Sequence, residues 1–158
     1  PAPERAGGLR RGHAAGQAVK GCIGLDTNVL ARYYVDDAAD AEVAAQRARA
    51  RALMESGRPL AVCKTVLLEL EWVLRGYYGF ARADVAQVFA HVMAQPGIRV
   101  EDRATVERAL AAHAAGLDFA DALHHASYAD CSGMATFDDR GFARRARKLG
   151  MVPAVSLP

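Results

Sequence analysis

From Gly21 onward, short apolar runs alternate with stretches of helical periodicity. Cys22-Ile23-Gly24-Leu25 is an apolar run that ends at Asp26, and Thr27–Tyr34 then carries helical spacing. Ala38–Ser56 is Ala-rich, with Val43, Ala44, Arg47 and Leu53 at helical intervals, and Gly57 stops it. Leu60-Ala61-Val62-Cys63 reads as a second strand. Thr65–Arg75 is apolar almost all round, which predicts a buried helix. Ala83–Ala94 sets Val85, Val88, Phe89 and Val92 on one stripe, closed by Pro96-Gly97. Ile98–Val100 is a brief third strand, followed by helices over Arg103–Ala115 and Asp118–Asp130. Gly133–Thr136 is a fourth strand, Asp139–Leu149 a basic helix, and Val152–Val155 a weak fifth strand.

Short apolar strands alternating with helices predict an α/β fold, a three-layer α/β/α sandwich around a central parallel sheet. One domain over residues 21–158 accounts for the pattern, with no internal repeat. Residues 1–20, rich in Ala, Gly and Arg, lack both apolar periodicity and the apolar core of a secretory signal. They read as a flexible basic extension, with contact to nucleic acid as one option.

Composition narrows the function little. A hydrophobic share of 52% with 24% charged residues is ordinary for a globular protein. Arg5, Arg10, Arg11 and Lys20 against Glu4 put a surplus of three positive charges in the first twenty residues. The formal net charge of +2 therefore leaves the body near neutral, so any basic surface must be local. Cys22, Cys63 and Cys131 are odd in number and lie far apart, which favours buried reduced thiols in a cytoplasm over a disulfide frame or a zinc site. No apolar run reaches the roughly 20 residues of a membrane helix.

The chemistry lies in separated acids. Asp26 follows the first strand and Asp138 the fourth, so both belong at the carboxyl edge of the sheet, where ligands of such folds bind. Each also suits the N-cap of the next helix. Glu69, in Val66-Leu67-Leu68-Glu69-Leu70, shares a helical face with Val66 and Val73; there it needs an ion or a partner such as Arg75 or Arg32. Glu71 points elsewhere around that helix and is the second choice. In Asp118-Phe119-Ala120-Asp121, Asp118 suits the cap and Asp121 the cleft. Carboxylates that share one place keep their protons unless a cation intervenes, and oxygen-only ligands suit Mg²⁺ or Mn²⁺. Such a site activates water for phosphodiester cleavage.

With these motifs in hand, the chain resembles the PIN-domain family, and within it the VapC-type toxins of bacterial toxin–antitoxin pairs. Leu25-Asp26-Thr27-Asn28-Val29-Leu30 is similar to the family's opening motif and Leu68-Glu69-Leu70 to its second acidic motif. Asp118-Phe119-Ala120-Asp121-Ala122-Leu123 resembles the third, and Thr136-Phe137-Asp138 followed by Phe142 the fourth. The likeness spans roughly Gly21 to Pro158. It implies strand order 3-2-1-4-5, a Mg²⁺- or Mn²⁺-dependent ribonuclease, an RNA substrate, a homodimer and inhibition by a cognate VapB-type antitoxin. In that reading Asp26, Glu69, Asp121 and Asp138 hold the ion, some through water. Asn28, Thr136 and Asp118 support them, and metal-activated water is the nucleophile. Thr27 and Asn28 also suit the start of the first helix. The spacing of the fourth motif selects Asp138, while Asp139 assists or caps.

Arg140, Arg144 and Arg147 recur with Lys148 at roughly helical spacing, Arg145 lying off that face; they suit RNA phosphates, antitoxin carboxylates or plain solvent. His124 and His125 diverge by about 100° on a helix, which favours packing or surface roles over a shared ion. Trp72, Tyr77, Tyr78 and Phe80 favour core or dimer packing, with base stacking as the other option. Two further readings stay open, a PIN nuclease of RNA processing without antitoxin and a PIN-like interaction module without catalysis. A haloacid-dehalogenase-like phosphatase wants a second Asp where this chain has Asn28, and is set aside.

Overall fold

The computed structural model describes residues 21–37 and 40–158. The basic extension over 1–20, and the expected helix start at Ala38, lie outside the described residues. The architecture is α/β. Strands β1 (Ile23–Gly24), β2 (Leu60–Val62) and β3 (Ile98–Val100) form a parallel sheet in the order β1-β2-β3. Its register pairs Ile23 with Leu60, and Leu60 in turn with Ile98. Strands β4 (Met134–Ala135) and β5 (Val155–Ser156) pair in parallel as a separate two-stranded sheet. The expected order 3-2-1-4-5 thus appears as its two halves, and no ladder joins β1 to β4 among the described residues.

Helices flank the strands: α1 (Thr27–Tyr34), α2 (Ala41–Met54), α3 (Lys64–Trp72), α4 (Arg82–Ala94), α5 (Arg103–Ala114), α6 (Phe119–Ser127) and α7 (Arg144–Lys148). Two single π-helical turns depart from expectation. One, Val73–Tyr77, extends α3; the other, Asp139–Ala143, precedes α7. Such turns insert one residue into a helix and recur at functional sites. Leu30, Leu67, Leu70, Leu74, Phe89 and Phe119 are fully buried and fill the core between the sheet and its helices. Each such aromatic is worth about 3–5 kcal/mol against truncation to Ala.

The start of α3 is latched to the end of β3. The Lys64 backbone N–H donates to Glu101 Oε2 and its Nζ to Asp102 Oδ2, both at 2.9 Å. The Lys64 hydrogen bond holds the Asp102 carboxyl below the usual aspartate range. This latch fixes where α3, the carrier of Glu69, leaves the sheet edge.

Three expectations need correction. The helix from Lys64 is not buried all round: Val66, Leu67, Leu70 and Glu71 face inward, while Glu69 and Trp72 are exposed. The cysteines are free, but Cys63 and Cys131 are exposed and Cys22 half-buried, so burial does not explain them. The aromatic group splits: Tyr78 and Phe80 pack against the core, and Trp72 and Tyr77 do not. The adjacent histidines diverge as their spacing predicts. His125 is buried with Nε2 2.8 Å from the Pro153 carbonyl, and His124 is exposed.

Candidate active site

Asp26 leaves β1 with extended backbone and caps α1. Its Oδ1 accepts from the Thr27 backbone N–H and its Oδ2 from Asn28 Nδ2, each at 2.9 Å. A carboxylate offers about four lone-pair sites, so capping leaves acceptor capacity free. Capping and a place in the cleft are therefore compatible for Asp26. The next residue, Thr27, is buried, and its hydroxyl donates to Glu69 Oε2 at 2.6 Å. One buried threonine thus ties the end of β1 to the exposed face of α3.

Glu69 reaches this partner from solvent, not from an apolar stripe. The acid that α3 buries is Glu71, only 8% exposed, with Arg75 Nη1 3.4 Å from its Oε1. Neither arginine considered as a counter-ion pairs with Glu69. Arg75 serves Glu71, and Arg32 donates from Nε to Gln46 Oε1 at 2.9 Å and from Nη1 to the Tyr78 hydroxyl at 3.1 Å. Asp26, Glu69, Arg32, Trp72, Tyr77 and Tyr78 all line one cavity of about 340 Å³.

A second group of acids gathers at the start of α6 and the end of β4. Asp118 caps α6 by accepting from the Ala120 N–H at 3.0 Å, and Asp121 stands three residues on, half-buried. Desolvation raises the Asp121 carboxyl above the usual range, and the negative charges of Asp118 and Asp138 raise it further. Asp138 is exposed and held differently. The Thr136 hydroxyl accepts from its backbone N–H at 3.1 Å, while its two oxygens accept from Gly141 N–H and Phe142 N–H at 2.8 Å each. Those backbone bonds, chiefly Phe142, lower its carboxyl, with Arg145 and Arg144 adding to the effect.

Gly141 makes this arrangement possible: a Cβ there would lie 2.8 Å from Asp138 Oδ1 and 2.9 Å from its Cγ. Asp139, the adjacent acid, is paired through Oδ1 with Arg147 Nη2 at 2.6 Å. A π-helical turn over Asp139–Ala143 separates Arg140 from the α-helical segment that carries Arg144, Arg145 and Arg147. Arg140 and Arg144 are exposed, Arg147 is committed to Asp139, and Arg145, read from sequence as off the face, is a positive neighbour of Asp121 and Asp138.

The fold therefore links Asp26 to Glu69 through Thr27 and sets Asp121 within the charge of Asp118 and Asp138, while α3, which carries Glu69, packs against α6, which carries Asp121. Among the described residues no three His, Cys, Asp or Glu side chains converge tightly enough to enclose an ion by themselves. An ion caged by four direct carboxylates is thus not the arrangement present. Two carboxylates such as Asp26 and Glu69, which line one cavity, do fit Mg²⁺, which keeps several waters and takes one or two carboxylates directly.

Residues 23–148 match the PIN domain, a stretch that contains every acid named above. The chain belongs to the PIN-domain family. PIN domains are generally nucleases, their nucleases typically use divalent metals, and the domain suggests RNA binding. No curated protein matches the chain. No helix among the described residues is long and apolar enough to cross a membrane.

Three residues of this PIN domain escaped the sequence reading of the site: Thr27 as the holder of Glu69, Gly141 as the seat of Asp138, and Arg145. Gly141 had a usable signal, a glycine three residues beyond a capping aspartate. Thr27 had a weaker one, a hydroxyl directly after the strand-end acid. Arg145 had none, because nothing in the basic run Arg144–Lys148 marks which residue lies near the acids.

Proposed function

We propose that this PIN-domain protein is a Mg²⁺- or Mn²⁺-dependent endoribonuclease. The observation that carries the reading is the family match over 23–148 together with the Asp26–Thr27–Glu69 linkage at the end of β1. Asp26 and Glu69 would hold the ion directly, Asp121 would join once ionised, and Asp138, seated on the N–H groups of its own turn, would act through water. When bound, the ion supplies activation of water and stabilisation of charge on the phosphoryl oxygens. The chain's own residues do the positioning. Thr27 orients Glu69, Asn28 orients Asp26, and Thr136 and Gly141 seat Asp138. Arg144 and Arg145 offer positive charge near the second group, where the phosphates of RNA would lie.

The finer reading, a cytoplasmic VapC-type toxin that forms a homodimer and is inhibited by a VapB-type antitoxin, rests on the motif likeness. Growth arrest on expression, relieved by a neighbouring small gene product, is its test. For the nuclease itself, the purified chain is incubated with single-stranded RNA and Mg²⁺. Cleavage abolished both by chelation and by Asp26→Asn is expected; cleavage that survives either one would overturn the proposal.

A further inference from the structure

We infer that Trp72 and Tyr77 form a stacking platform for an unpaired nucleobase of the substrate strand, an assignment that rests on the nuclease reading above. Both rings stand in the open, 69% and 76% exposed, in a chain whose other aromatics near this helix pack inward. Their companionship is built. On an α-helix, residues five apart diverge by about 140°. The π-helical turn Val73–Tyr77, whose Tyr78 N–H reaches back to the Val73 carbonyl at 3.1 Å, brings positions five apart to the same side. The indole lies along the helix, with Trp72 Cε2 and Nε1 3.8 and 3.9 Å from where a Cβ on Gly76 would stand, which is ordinary contact distance. Tyr78 steadies the second ring. It meets Tyr77 edge to face at 4.8 Å, and its hydroxyl accepts from Arg32.

The cavity that contains both rings also contains Asp26 and Glu69. That composition selects the occupant. Arg32, the cation in this lining, is already bonded to Gln46 and Tyr78, whereas a base needs no charge partner beside the carboxylates and has a face to stack. An apolar helix of a second copy would strip water from Asp26 and Glu69 without replacing it. A duplex hides its base faces in its own stack, so the platform takes single strands.

Trp72 is the chain's one tryptophan, so its emission reports on the platform alone. The Asp26→Asn protein, which leaves RNA intact, is titrated with a short oligouridine, with the same strand in a duplex, and with an abasic ribose-phosphate oligomer. The single strand should quench Trp72 emission, and the duplex and abasic oligomer should not. Tyr77→Ala should weaken binding of the oligouridine about 5- to 150-fold, with Tyr77→Phe retaining it. Unchanged emission on adding RNA that the wild-type chain cleaves would overturn the platform and leave the nuclease reading standing. So would a Tyr77→Ala protein that falls from dimer to monomer in sedimentation while binding RNA normally, which would give the rings to a copy interface. Quenching in a chain that cleaves no RNA would keep the platform and overturn the nuclease reading.

Discussion

The two acidic groups are held by opposite means. On the Asp26 side a buried hydroxyl bonds to Glu69, side chain to side chain across the fold, beside a cavity with aromatic walls. On the Asp121 side no such bond links the acids. They crowd one another through charge, one of them raised in pKa by burial and its neighbours, another locked by backbone N–H groups in the next turn. The first side is preorganised without a cation. The second carries repulsion that a cation would relieve, and this asymmetry lets each side be tested alone.

The largest expected difference is between Asp26→Asn and Asp138→Asn. Asn caps a helix as well as Asp, so Asp26→Asn keeps the cap of α1 while removing the charge and the oxygen that accepts from Asn28. Its cleavage rate should fall by at least about 10³-fold, to no detectable product, since direct ion contact supplies several kcal/mol. Asp138→Asn should cost about tenfold to a hundredfold, because that acid acts through water. Equal losses in the two rates would erase the distinction between the sides.

Gly141→Ala sharpens it from the other direction. The added Cβ drives Asp138 off its seat without touching Asp26 or Glu69. Cleavage should match that of Asp138→Asn, about tenfold to a hundredfold down, with Mn²⁺ affinity nearly unchanged. A variant as active as wild type would show the seat to be incidental. Thr27→Val, by contrast, keeps volume and burial while freeing Glu69. Mn²⁺ affinity by calorimetry should drop about tenfold, and a value equal to wild type would remove Thr27 from the site.

How much of this was legible in the sequence follows the same division. The parallel strand–helix pattern and the strand-end positions of Asp26 and Asp138 could be read because they depend on local chain order. Ile98–Val100 matches its expected limits, and Asp118 caps with Asp121 at the third position as the motif suggests. What escaped depends on facing. Placing Glu69 inward assumed that all apolar neighbours on α3 are buried, yet the helix turns Glu71 inward instead. Neither π-helical turn could be read, since each lies where a short helix leaves too few apolar positions to mark a shift, and the first sets Tyr77 on the side of Trp72.

The smallest effect is on stability against pH. The Asp121 carboxyl is raised above its unfolded value, so its protonated form favours the fold. That contribution is full below the unfolded aspartate pKa and is lost as pH rises through the folded one. Metal-free Asp121→Asn should therefore melt at a slightly higher temperature than wild type at neutral pH and level with it in acid. A lower Tm at neutral pH would mean that Asp121 ionises at no cost to the fold.

The central claim is that two differently built acidic groups serve one divalent ion. Crystals soaked in Mn²⁺ test it directly through anomalous scattering. The account predicts a strong peak in contact with Asp26 and Glu69 and within one water of Asp121 and Asp138. A peak on the Asp118 side alone, or none near either group at saturating Mn²⁺, would contradict it.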